Sequence, residues 1–249
     1  MLRTSLPNHG RLQCDACFDS KTDWNKSELR TGDGWHLLNN PMSWGSSTPE
    51  ILMLGVSKGT RQSTDLETKS HNEIPFAGFR PQLTKALRLL GLLQAHECVD
   101  DKISSGEERW GFGSMVRCSL GLLDAGGKVR RSGSVIEELA LMNESESWLH
   151  RCAKTFLSDL PNTLRLCILL SNSENYIQAC LETISRLRPN TRKINDVAYG
   201  DGGTTWVHIV HVGGPGKNHI NSWMEGTGRQ GEKRRQAQQA VAQALANRP

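Results

Sequence analysis

Four short apolar segments, closed off by turn-forming residues and separated by helical patterning, constrain the fold of this chain most strongly. They are Glu50–Val56 (EILMLGV), Gly113–Leu120 (GSMVRCSL), Arg165–Ser171 (RLCILLS) and Thr205–Val212 (TWVHIVHV). Runs this short, rich in Leu and β-branched residues and bounded by Gly, Pro, Asn or Ser, read as strands buried on both faces. Helical spacing lies between them. Leu83, Ala86, Leu87 and Leu90 recur on one face, with Pro81 near the start and Gly91 at the stop. Ser134 with Glu137 makes a capping box before a helical region that runs, broken near Asn143, to Leu160. Ile177, Cys180 and Ile184 mark a third helix before Pro189, and Glu232–Ala246 carries a thin apolar stripe. Strands alternating with helices predict an α/β fold, a three-layer α/β/α sandwich around a central four-stranded parallel sheet.

The domain plan follows. Residues 1–49 are weakly periodic and read as an irregular N-terminal extension carrying a Cys-x-x-Cys. Residues 50–225 form the α/β domain, and 226–249 a basic C-terminal helix packed on it. Beyond Gly226 there are five cations (Arg229, Lys233, Arg234, Arg235, Arg248) against Glu232 alone, so this tail holds the whole net charge of +4. Such a run reads first as a solvated helical face and second as a phosphate-contacting patch. No stretch approaches the roughly 18 apolar residues of a membrane span, and no secretory signal opens the chain. The expectation is a soluble, cytoplasmic monomer. Seven cysteines in a reducing compartment then read as buried thiols or metal ligands rather than disulfides.

Ligands of parallel sheets bind beyond the carboxyl ends of the strands. Two strand ends here run into unusual loops, Gly55-Val56-Ser57-Lys58-Gly59 and the His211–Asn221 segment (HVGGPGKNHIN). Glycine lets backbone amides approach a ligand closely, and a histidine at the second strand end adds a titratable donor.

The order strand–GVSKG, Ile74-Pro75-Phe76-Ala77-Gly78 leading into a Leu-rich helix, Met115-Val116-Arg117-Cys118, then His211 with its glycine-rich loop resembles the uracil-DNA glycosylase superfamily over residues 50–225. The nearest subgroup is the one holding an iron–sulfur cluster. The resemblance implies a hydrolase that flips a base out of DNA and cuts its N-glycosidic bond. It makes Phe76 the platform for the flipped ring, with Gly55, Val56, Ser57 and Ser114 around the base. His211 becomes the donor to the oxygen on which charge develops. Lys58, Gly59, Gly213, Gly214, Pro215, Gly216, Lys217 and Asn218 would meet the DNA, the phosphates chiefly through charge and loop amides.

The chain departs from the family pattern at three places. Val56 and Ser57 stand where many members carry a water-positioning carboxylate or amide, so Glu73, with Asp65 and Glu67 as alternatives, is the expected replacement. Ser114 stands where the subgroup reads uracil with an asparagine, and Val212-Gly213 replaces Pro-Ser. A smaller residue at 114 gives up a paired donor and acceptor and makes room. The expected substrate is therefore a modified pyrimidine, hypermodified phage bases included, with a role in phage defence through abasic sites. Uracil repair is the alternative. A DNA-binding module without chemistry and a glycosylase–lyase using Lys58 as Schiff-base nucleophile are the rival readings.

Cys14-Asp15-Ala16-Cys17 has ligand spacing, and Cys118 and Cys152 fall where the resemblance places the third and fourth cluster ligands. Four thiolates suit a structural [4Fe–4S] cluster, ahead of zinc. Cys98, Cys167 and Cys180 are left as ordinary thiols.

Overall fold

The computed structural model describes residues 5–130, 148–213 and 217–246. Each apolar segment alternates between two faces, as a strand in the middle of a sandwich must. Ile51 and Met53 join one hydrophobic cluster while Leu52 and Leu54 join the other. Leu166, Ile168 and Leu170 against Cys167 and Leu169 repeat the pattern.

Three of the expected segments form β5 (Ile51–Gly55), β9 (Leu166–Leu170) and β12 (Thr205–Ile209), and the fourth strand of the core is β6 (Trp110–Ser114), which overlaps the expected 113–120 only at Gly113 and Ser114. They lie side by side in the order β6-β5-β9-β12, all parallel. The expected four-stranded parallel core is present, but within a larger mixed sheet. Antiparallel β4 (Met42–Gly45) and β1 (Gly10–Arg11) extend one edge, and β11 (Ala198–Gly200) and β10 (Arg192–Asn195) the other, giving eight strands. A second, antiparallel sheet joins β2 (Glu28–Arg30), β3 (Trp35–Leu38), β7 (Ser119–Leu123) and β8 (Val129–Arg130).

Helices cover both faces. α2 (Arg80–Leu89), α5 (Lys217–Glu225) and α6 (Gly228–Ala246) bury Leu83, Leu87, Trp223, Ala237 and Val241 on one side. On the other, α3 (Trp148–Leu157) and the Tyr176, Cys180 and Ile184 face of α4 (Glu174–Leu187) pack with Trp35 and Leu37 of the second sheet. The short α1 (Thr60–Asp65) follows the Gly55–Gly59 loop. Among the described residues no helix is long and apolar enough to cross a membrane.

Two expectations are corrected. The segment 113–120 is not one strand. β6 ends at Ser114, and Met115–Cys118 crosses to β7 in the other sheet. The break is held by main-chain bonds from Met115 to Gly55 and from Val116 to Val56, both 2.8 Å. Gly113 leaves room for the Arg117 guanidinium, whose Nη1 lies 1.6 Å from where a Cβ would stand, so a side chain at 113 would displace it. Residues 1–49 are likewise not an irregular appendage, since they supply strands to both sheets. The last helix, expected within 226–249 and over about Glu232–Ala246, runs from Gly228 to Ala246. The proposed cap at Ser134 and Glu137 lies outside the described residues.

Candidate active site and cysteine cavity

Because β5, β6, β9 and β12 are parallel, the Gly55–Gly59 loop, Ser114 and His211 all leave the same edge of the sheet. The two loops are not direct neighbours, as β9 lies between their strands. What joins them is the Ile74–Phe79 segment. Gln62 of α1 donates to the Ile74 carbonyl at 3.4 Å and accepts from the Gly59 amide at 3.3 Å. Ser114 pairs with Gly55 across β5 and β6, so the two small residues stand together.

Phe76 is held at φ 57°, a left-handed conformation that is strained for an aromatic residue. Arg80 fixes the turn, donating to the carbonyls of Asn72 and Pro75 and pairing with Asp100 at 2.7 Å. Phe76 itself is 5% exposed and packs edge-on against Phe79 and Phe112, each with centroids 5.9 Å away. Phe79, which the sequence reading did not single out, is the half-buried ring that faces the histidine. Its centroid lies 5.8 Å from that of His211. It also sits where Gly213 leaves room, since a Cβ there would meet Phe79 Cδ1 at 2.7 Å. The available signal was the Phe76-x-x-Phe79 spacing at the helix start.

His211 keeps a solvent-facing surface, yet desolvation lowers its pKa, opposed by the Gly213 carbonyl. The ring is therefore neutral near pH 7. The Gly213 amide donates to Nδ1 at 3.2 Å in the tautomer that carries its proton on Nε2. The Gly213 carbonyl contacts the same Nδ1 and favours the opposite tautomer. Beside His211 lies an open cavity of about 600 Å³, lined also by Ser171, Asn172, His219, Arg229 and Lys233. Gly55, Phe76 and Ser114 do not line it.

Other expected site residues are placed differently. Lys58 is 1% exposed, with Nζ donating to the Arg117 carbonyl. Burial pushes its ammonium down to about 8, against the pull of Cys118. In this conformation it reaches neither phosphate nor substrate carbon, because the Gly55–Gly59 loop folds it inward against the crossover. Glu73 is exposed and spends its carboxylate on the Ser70 amide and hydroxyl, which hold its pKa down. Glu67 accepts from Asn25 at 2.9 Å. Val56 is buried and Ser57 half-buried. Gly214, Pro215 and Gly216 lie outside the described residues, as do the side chains of Lys217 and Asn218. On α6, Arg229 and Lys233 face Glu174, Arg235 pairs with Glu232, and Arg234 donates to the Met224 carbonyl. Much of that helix's charge is spent within the molecule.

Cys14, Cys17, Cys118 and Cys152 line one narrow cavity together with Phe18, Leu37, Val116 and Phe156. Three distant segments meet there: the N-terminal Cys-x-x-Cys, the β6–β7 crossover and α3. Burial pushes the Cys17 thiol up to about 12, with Cys118 and Cys14 adding to the effect. Cys118 and Cys152 are raised in the same way, chiefly by burial. Cys152 Sγ accepts from the Arg117 amide at 3.2 Å. The thiols are not drawn together to ligating geometry: among the described residues no group of three or more His, Cys, Asp or Glu forms a metal-holding set. As a donor set, four soft thiols around an apolar cavity fit a [4Fe–4S] cluster or tetrahedral zinc. No family model matches the chain, and no curated protein matches it.

Proposed function

We propose that this protein is a DNA glycosylase of the uracil-DNA glycosylase type, hydrolysing the N-glycosidic bond of a flipped-out modified pyrimidine. The observation that carries the reading is His211. It is neutral and partly desolvated at the carboxyl edge of a parallel sheet, against Phe79 and beside a cavity of nucleotide-accommodating size, about 600 Å³. As the bond from C1′ to the base breaks, its electron pair passes onto the base and toward the pyrimidine O2. In the tautomer set by the Gly213 amide, His211 Nε2–H is a donor that stabilises that charge. Water adds its oxygen to C1′, and the proton it gives up neutralises the departing base anion. Phe79, with the strained Phe76 turn behind it, supplies the apolar wall for the ring. Gly55 and Ser114 stand together at the same sheet edge, outside the His211 cavity; a base that reached them would meet less side chain than an asparagine at 114 presents.

The same reading assigns the four-cysteine cavity to a [4Fe–4S] cluster, ahead of zinc. When bound, the group supplies a cross-link between three segments remote in sequence. Cys14 and Cys17 tie down the N-terminal segment, Cys118 the crossover, and Cys152 the helix α3.

The engagement of Glu67 and Glu73 elsewhere, and the burial of Phe76, favour a binding module as the second reading. Oligonucleotides carrying a single uracil, 5-substituted uracil or 5-substituted cytosine separate the two, with alkali revealing abasic sites. Wild-type protein is expected to cut at a substituted pyrimidine. Ser114→Asn is expected to impair that release and improve release of uracil. Efficient cutting at uracil with rejection of substituted bases would make uracil repair the function. No alkali-labile site on any strand, with DNA binding retained, would leave the binding module.

A further inference from the structure

Two buried cations beside the cysteine cavity have no anion to pair with among the described residues. Arg117 is 1% exposed, and its Nε, Nη1 and Nη2 all lack a hydrogen-bond partner. The guanidinium lies over the Phe156 ring at 5.3 Å, and Phe156 lines the cavity. Lys58, also 1% exposed, bonds through Nζ only to the neutral Arg117 carbonyl among its described contacts. The titratable groups facing Lys58 are Cys118, Cys152, Arg117 and His71; those facing Arg117 are Cys152, Cys167 and Lys58. With every thiol protonated, the described residues around this cavity hold two like charges and no counter-charge. Uncompensated charge in an apolar interior is strongly destabilising, and chains that keep it pair it.

We propose that Lys58 and Arg117 are the counter-ions of an anionic metal–tetrathiolate group held by Cys14, Cys17, Cys118 and Cys152. The inference rests on the cluster reading above and adds its electrostatics. On ligation the four thiols lose four protons to solvent and four sulfur–metal bonds form. Four thiolates around a 2+ core, whether [4Fe–4S] or zinc, leave a net charge of two minus. Lys58 and Arg117 bring two plus, so the buried ensemble becomes neutral. The arrangement also explains why Gly113 has no side chain: the space is needed for the guanidinium.

The test compares full-length wild type, Arg117→Met, Lys58→Met and Arg117→Lys, purified anaerobically. Iron, sulfide and zinc content, the rate of metal loss to a chelator, the reduction potential and the unfolding temperature after complete stripping are measured. Both Met variants are expected to lose metal about 10–100-fold faster, the scale for removing a residue that supports metal ligands. Their reduction potential should move negative, because a cation no longer offsets the added electron. Arg117→Lys should retain the metal. Once stripped, each Met variant should unfold at the same temperature as stripped wild type or higher, because an unpaired buried charge has been removed. Metal held at the wild-type rate and potential in both Met variants would overturn the counter-ion role and leave the cluster standing. Met variants that are less stable even when stripped would also overturn it, since the side chains would then act by packing. Zinc in place of iron would overturn [4Fe–4S] alone, and the chelator rates would still support or overturn the counter-ions. Folded wild type free of both metals would overturn the cluster and the inference together.

Discussion

His208 and His211 stand on one strand and its exit, yet their surroundings give them opposite characters. His208 is fully buried and bonded on both nitrogens, Nδ1 to the Ser171 carbonyl at 2.9 Å and Nε2 to the Tyr199 hydroxyl at 3.2 Å. It is a satisfied core histidine. Burial pushes its pKa from 6.5 down to about 4. As the pH falls below 6.5 the unfolded chain takes up this proton first, so the native state loses stability until about pH 4. Above 6.5 the contribution is fully present. The shift corresponds to about 3 kcal/mol at most. His208→Gln should therefore be destabilised at pH 7 but gain on wild type in urea unfolding as the pH is lowered to 4.5. His9 and His71 are also lowered but remain in both proteins and cancel in the comparison. Parallel stability curves would contradict the assignment. Lys58 shows the limit of reading single residues. A lysine in a glycine-rich loop looks solvent-exposed, and only the long-range contact with Arg117 turns it inward.

At the scale of elements, what the sequence reveals depends on where the pairing partners lie. β5, β9 and β12 are legible because each carries its own apolar run. β1 to β4 are not, because they are two to four residues long and pair with distant segments, as in Gly10 with Ser43 and Trp35 with Leu122. The break at Met115–Cys118 was hidden because both sides of it are buried and apolar. Convergence of the four cysteines was legible only through motif order, as they span three elements. The start of α2 carries the most informative difference. Sequence order selects Phe76 as the platform, whereas the turn clamped by Arg80 buries Phe76 and presents Phe79 to His211. Phe79→Ala should slow single-turnover base release about 10–100-fold, the range given by base-stacking energies of about 1–3 kcal/mol. It should also raise the His211 pKa toward 6.5 in an NMR titration, by admitting water to the ring. A full effect from Phe76→Ala with none from Phe79→Ala would restore the sequence assignment.

For the molecule as a whole, the sheet separates two sites and also connects them. The Gly55–Gly59 loop is bonded through Gly55 and Val56 to the crossover that carries Arg117 and Cys118. A metal group held there would thus brace the Gly55–Gly59 loop, while the helices on the other face position His211 and Phe79. The central claim is that this scaffold releases a base from DNA. The most direct measurement incubates DNAs of differing pyrimidine modification with wild type and His211→Ala, then identifies free bases by mass spectrometry. Wild type should release one class of substituted pyrimidine. His211→Ala should release it about 10²–10³-fold more slowly, the cost of one oxyanion-type donor, with DNA binding preserved. No free base above the His211→Ala level from any DNA, uracil-containing DNA included, would contradict the claim.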